Sequence, residues 1–195
     1  MPGWRRCAWM ARLACVASVA LLAAPAASAA AQRFAIDPAN SRVDFRVRYL
    51  GLFTLGGRFA HPTGVVVFDP GHWESLEVTI EIPVDSLESR PQFWRSELLG
   101  PRFFDARRFP TIDWRAARAK RLESDNVETG GPLTLHGTTK PVTLRARIRT
   151  VDGQLEVDGE ARLSRSAFGL GATLPLASDE VAVMLHVRAT PAGAL

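Results

Sequence analysis

The sequence predicts an all-β protein: a sandwich or a closed antiparallel barrel of about eight short strands, with one short helical segment inserted. Three observations lead there. Apolar and polar residues alternate with a period of two through most of the chain after residue 40. Glycine, proline, aspartate and asparagine punctuate the alternating runs. One stretch, Ser89 to Arg108, breaks the alternation and gathers aromatic residues instead.

The first residues stand apart from this pattern. Arg5, Arg6 and Arg12 give a basic start, Leu13 to Ala24 is apolar, and Pro25 to Ala31 is dominated by small residues. That order is the order of a secretory signal peptide. Residues 1–29 are therefore expected to be removed, with cleavage after Ala29 or after Ala31 fitting equally well, and residues 30–195 are expected to form one domain. A membrane anchor is the rival reading, but spanning a bilayer needs about 20 apolar residues and this run is shorter. Arg12-Leu13-Ala14 before Cys15 puts a charge where a lipoprotein signal needs an apolar residue. Both cysteines, Cys7 and Cys15, lie in this segment, so the exported chain is expected to hold itself together without disulfides.

The full chain carries 24 Lys and Arg against 20 Asp and Glu. Three of the arginines leave with the signal, so the remainder is close to neutral and has no basic block. That removes the electrostatic case for nucleic acid.

Each strand follows from its own alternation. Val43, Phe45, Val47 and Tyr49 alternate with Arg42, Asp44, Arg46 and Arg48, which marks a half-buried strand. Val65 to Phe68 is a short candidate, with Val65/Val67 and Val66/Phe68 as rival inward pairs. Leu76, Val78, Ile80 and Ile82 alternate with Glu77, Thr79 and Glu81. Thr111 to Arg115 and Pro132 to His136 are further short candidates. Val142 to Ile148, Leu155 to Leu163 and Val181 to Val187 complete the set. Asp152-Gly153 between two alternating runs is a strong hairpin signal. Asp69-Pro70-Gly71, Asp125-Asn126, Gly130-Gly131 and His136-Gly137 read as further turns. In the aromatic stretch, bounded by Pro101 and Pro110, Phe93, Trp94 and Leu98 fall at helical spacing.

Motifs for chemistry are sparse. His61, His72, His136 and His186 do not pair at metal-ligand spacing, and the exported chain has no cysteine to join them. There is no Gly-x-Ser-x-Gly element and no phosphate-cradling glycine loop in a strand-to-helix context. The acids alternate with apolar residues, as on a solvated outer face. No catalytic residue, metal ligand or cofactor is expected. A barrel of about eight strands can hold one small ligand or fill with its own side chains, and alternation leaves both open.

Several blocks then carry a resemblance. They are Phe34 to Val47, with Asp37, Ser41 and Phe45; Gly57-Arg58-Phe59; Gly64-Val65-Val66-Val67-Phe68-Asp69-Pro70; and Leu98-Leu99-Gly100-Pro101-Arg102-Phe103-Phe104-Asp105 with Phe109-Pro110. Gly131-Pro132-Leu133-Thr134-Leu135-His136-Gly137-Thr138-Thr139-Lys140-Pro141-Val142 is the most specific. Arg165-Ser166-Ala167-Phe168-Gly169, followed by Asp179-Glu180-Val181, is the last. In order and spacing the chain resembles the YceI-like family, the lipid- or polyisoprenoid-binding YceI-like domains. One departure falls in the cap: where the family often has Arg-Asp and then His-Leu, this chain has Trp94-Arg95 and Glu97-Leu98.

The resemblance implies a lipocalin-like antiparallel barrel in the periplasm, with an isoprenoid or isoprenoid-quinone ligand and no catalytic residues. It favours Val66 and Phe68 as the inward pair. The expected function is a carrier or sequestering protein. The alternatives are an envelope interaction module with a filled barrel, and a hydrolase or isomerase acting on an isoprenoid lipid. The expected cavity lining is Val43, Phe45, Val47, Val66, Phe68, Ile80, Ile82, Ile112, Trp114, Leu133, Leu135 and Leu144. Phe93, Trp94, Leu98, Phe103 and Phe104 are expected to form a cap, and Arg95 and Arg102 to meet a polar head group. A long-chain lipid is the expected partner, with a transient membrane contact and a homodimer as further expectations.

Overall fold

The walls of the molecule are built from strands that bend without breaking off. The computed structural model describes residues 31–69, 71–123, 125–171 and 176–192. The expected signal segment therefore lies, up to residue 30, outside the described residues. The first four strands are β1 (Gln32–Ile36), β2 (Arg42–Tyr49), β3 (Phe53–Ala60) and β4 (Thr63–Phe68). Next come β5 (Glu77–Pro83), β6 (Leu87–Arg90), β7 (Thr111–Ala117) and β8 (Ala119–Arg121). β9 (Asn126–Leu135), β10 (Thr138–Val151), β11 (Gln154–Ser164) and β12 (Ala177–Pro191) complete the sheet. One short helix, α1 (Arg95–Leu98), follows a 3-10 turn at Gln92–Trp94.

Register shows that these segments make a closed barrel of eight wall strands. β1 and β2 pair in turn with the same strand, Ile36 facing Ala189 and Arg42 facing His186 on β12. They are one strand interrupted by the 3-10 turn Pro38–Asn40. β3 and β4 form the next, pairing with β2 and β1. Their break is His61-Pro62, where His61 has φ 55° and the proline has no N–H to donate. β5 and β6 pair with β4 and β3, and β7 and β8 both pair with β9. Each wall strand bonds to the next in sequence, and β12 returns to the first. Closure removes the free edges that would otherwise invite aggregation.

The sequence pattern finds β2, β4, β5, β7, β10, β11 and β12, and the C-terminal half of β9. Gly130-Gly131, read as a turn, instead lies inside β9. A Cβ at Gly131 would sit 1.9 Å from the carbonyl oxygen of Arg115. The glycine is needed where β9 passes the bend between β7 and β8, not where the chain reverses. Val66 and Phe68 do point inward, each 3 % exposed. At Asp152-Gly153 both residues take left-handed φ values, 51° and 76°, as a tight hairpin requires.

The barrel has two unlike ends. At one, the connections 49–53, 90–111, 135–138 and 164–177 meet; this is the cap end. The connections 68–77, 121–126 and 151–154 close the far end. There the Trp73 ring packs edge-on against Phe68 at 4.9 Å, and the Arg121 guanidinium lies 5.1 Å from the Trp73 ring centre.

Candidate ligand cavity

Inside the cap half lies a cavity of about 170 Å³. An apolar cavity of ~150 Å³ is already enough to stay dry and hold a benzene-sized guest. Its walls come from inward positions of β2, β3, β5, β7, β9, β11 and β12, with Trp94, Leu98, Phe103 and Phe104 from the cap segment. Val43, Ile82, Ile112, Leu133 and Leu135 are buried, whereas Val47, Leu55, Leu163 and Val181 nearer the cap are half-buried.

Three phenyl rings set one side of the cavity. Phe45 and Phe59 are 5.6 Å apart, and Phe104 meets them edge-on at 5.9 and 5.2 Å. Such tilted pairs are the favoured aromatic geometry. Phe45 has room because Gly57 faces it: a Cβ there would come within 2.7 Å of the ring. Phe104 belongs to the connection between β6 and β7, so this ring trio ties the cap to the wall. The cap backbone is fixed by its own bonds, Phe104 N–H to Leu98 O at 2.9 Å and Phe109 N–H to Asp105 O at 2.8 Å. A third, Gly171 N–H to Arg102 O at 2.9 Å, joins it to the β11–β12 connection.

Arg165 secures that second connection. Its guanidinium donates to the carbonyls of Leu170, Gly171, Ala177 and Ser178 at 2.5 to 3.1 Å. Beside it, the Ser164 hydroxyl donates to Asp179 at 2.6 Å and the Ser166 N–H donates to the same carboxylate at 2.9 Å. Hydrogen bonds from Ser164, then Ser166, hold the Asp179 carboxyl below the usual carboxylate range.

The expected lining residues divide between two places. Val43, Phe45, Val47, Ile82, Ile112, Leu133 and Leu135 surround the cavity. Val66, Ile80, Trp114 and Leu144 surround a separate void of about 20 Å³ in the far half, and Phe68 packs against Trp73 at the far end. Alternation reads which face a residue takes, but not how deep in the barrel it lies. In the cap, Trp94, Leu98, Phe103 and Phe104 reach the cavity. Phe93 does not: it is 77 % exposed, one residue from Trp94 on the outside of the turn.

The two arginines expected at a head group, Arg95 and Arg102, lie outside the cavity wall. Arg95 donates to the carbonyls of Leu87 and Asp85 at 2.7 and 2.6 Å, and Arg102 pairs with Glu97. Neither belongs to the cavity wall. Arg90 and Arg165 do, yet the wall is almost wholly apolar. Sequence reasoning also missed Leu55, Phe59, Leu163, Phe168, Val181 and Val183. Leu163, Val181 and Val183 stood on alternating faces already recognised, and Phe59 and Phe168 in the family blocks, so their signal was present.

This arrangement can enclose an apolar chain. His136 Nδ1 donates to the Phe168 carbonyl oxygen at 3.3 Å, and its ring meets Phe109 edge-on. His72 and His186 lie against Asp69 and Asp158 on the outside. Among the described residues no three His, Cys, Asp or Glu side chains gather as metal ligands.

The sequence pattern of the YceI-like domain matches residues 34–189. The chain belongs to the YceI-like family. Relatives include a UPF0312 protein of Pseudomonas paraeruginosa, 28 % identical over 175 residues, covering 87 % of this chain and 91 % of that one. Protein YceI of Salmonella arizonae is 28 % identical over 172 residues, with 83 % and 88 % covered. Among solved structures, BcnA of Burkholderia cenocepacia superposes with a TM-score of 0.74 at 23 % identity, over 80 % of this chain and 99 % of that one. A polyisoprenoid binding domain from Saccharophagus degradans, implicated in plant cell wall breakdown, gives 0.63 at 13 % identity, over 81 % and 98 %. These two likenesses show that the YceI-like barrel is shared.

Proposed function

We propose that this YceI-like protein carries or sequesters a long apolar lipid, a polyisoprenoid or an isoprenoid quinone, without chemically changing it. The observation that carries the reading is the cavity: set inside a closed barrel, almost wholly apolar, and bordered by the cap segment. Burial of apolar chain returns about 0.8 kcal/mol per methylene, so a cavity without polar anchors binds by length alone. The polar end of the lipid then stays at the cap, outside the wall. The relation to a polyisoprenoid binding domain supports the choice of ligand class. The basic, apolar, small-residue order of residues 1–31 supports work in the periplasm.

The test is to purify the chain from its native envelope, extract it with organic solvent and weigh the extract by mass spectrometry. One polyprenyl or quinone species per chain is the expected result. An empty extract, with no uptake of added polyprenyl lipids, would leave a barrel that serves as an interaction module.

A further inference from the structure

The cap end carries a second feature that the cavity does not use. Leu50, Leu52, Phe53, Phe93 and Leu176 are large apolar residues exposed to solvent, Leu52 by 86 % and Phe53 by 59 %. Scattered exposed apolar residues are ordinary, but these are not scattered. Leu50 to Phe53 form the β2–β3 hairpin tip, and Leu50 N–H donates to Leu176 O at 2.9 Å. Tyr49 pairs with both Phe53 and Ala177. The β3–β6 ladder ends at Gly56–Arg90, three residues short of Phe53 on one strand and of Phe93 on the other. The five side chains thus line one arc of the rim. Each is within three residues of a cavity-wall residue: Val47, Leu55, Trp94 or Ala177.

Charge accompanies this arc. Arg46 and Arg48 are exposed on the outer face of β2, and Arg90, exposed too, shares the Gly56 row with Arg46. Among the described residues none of the three has a carboxylate partner, whereas one row below, Asp44 pairs with Arg42 and Arg58. Of the nearby acids, Glu97 pairs with Arg102, Asp179 with Ser164 and Glu180 with Arg162 at 3.6 Å, while Glu88 on β6 faces Arg58 one row below Arg90. Apolar tips in front of unneutralised arginines are the composition that inserts shallowly into a bilayer carrying anionic head groups.

We infer that this rim docks on an anionic lipid surface, placing the cavity mouth where an apolar chain can pass from bilayer to barrel without crossing water. The inference rests on the carrier reading and names where the carrier meets its source.

Hydrogen exchange of the whole chain tests it, with vesicles of phosphatidylcholine alone and mixed with phosphatidylglycerol. Mixed vesicles are expected to slow exchange across residues 49–55 and leave the 151–154 hairpin unchanged. Leu52→Ser with Phe53→Ser is expected to abolish the slowing. Arg46→Gln with Arg48→Gln, which leaves the apolar tip whole, should weaken it roughly thirtyfold on mixed vesicles and little on phosphatidylcholine alone. No slowing at 49–55, or equal slowing at 151–154, overturns the inference. So does slowing that appears without vesicles and grows with protein concentration, since a second copy then covers the rim. A chain that takes up lipid without rim protection sinks the docking surface alone; a chain that docks but takes up no lipid sinks the carrier.

Discussion

The two halves of the barrel are built by the same alternation and end differently. In the far half, Val66, Leu76, Ile80, Trp114, Ile148 and Val157 converge and leave about 20 Å³. In the cap half, Val43, Val47, Leu163, Val181 and Val183 stand on equivalent inward positions and leave about 170 Å³. A period of two decides which side chains face in; their volumes, and how far the walls are held apart, decide whether they meet. Trp114, buried, helps to fill the far half. In the cap half β2 and β12 offer Val43, Val47, Val181 and Val183, and three rings, Phe45, Phe59 and Phe104, are gathered to one side. One half is filled by its own side chains and the other keeps a cavity.

That contrast makes separable predictions. The largest effect belongs to the far half, where Leu155 is wholly buried. Leu155→Ala should cost about 2–5 kcal/mol in urea unfolding, while lipid uptake per folded molecule stays the same. Ile80→Trp should also destabilise, by about 1–3 kcal/mol, because the void it enters is too small for an indole. If instead that variant folds normally and loses uptake, the two spaces are one. Leu163→Trp, on the cavity wall, should reverse the pattern: unfolding shifts by about 1 kcal/mol or less and uptake falls roughly tenfold or more.

The smallest effect concerns the connection that borders the cavity. Because its folded pKa is lowered, the Asp179 carboxylate contributes stability that is present above its unfolded value of about 3.9 and is lost as pH falls through the lowered value. Asp179→Asn should therefore be less stable than the parent at neutral pH. The difference should shrink below about pH 4, read as urea midpoints at both pH values.

The division into a filled half and a half with a cavity was only partly legible in the sequence. Alternation gave the faces of β2, β5, β10, β11 and β12, and the ordered family blocks gave closure into a barrel. Bends were harder. β3 holds Gly56 and Gly57, and β6 is four residues long beside a proline, so neither alternates visibly. Gly130-Gly131 shows the ambiguity of glycine: the same residue serves a reversal or a close approach, and only the neighbouring strand distinguishes them. Arg95 and Arg102 illustrate a further limit. A basic residue in an aromatic segment reads as a ligand contact, but Arg95 reaches backbone carbonyls of β6 and its preceding turn, which no local pattern announces. Depth along the barrel, which sorted Ile82 into the cavity and Ile80 into the core, follows from register across several strands.

The most direct measurement is native mass spectrometry of the folded chain after incubation with a long polyprenol, alongside Leu163→Trp under the same conditions. A carrier retains one polyprenol per chain, and the variant retains little. No retained polyprenol, or equal retention by both proteins, would contradict a cavity that binds lipid inside the cap half.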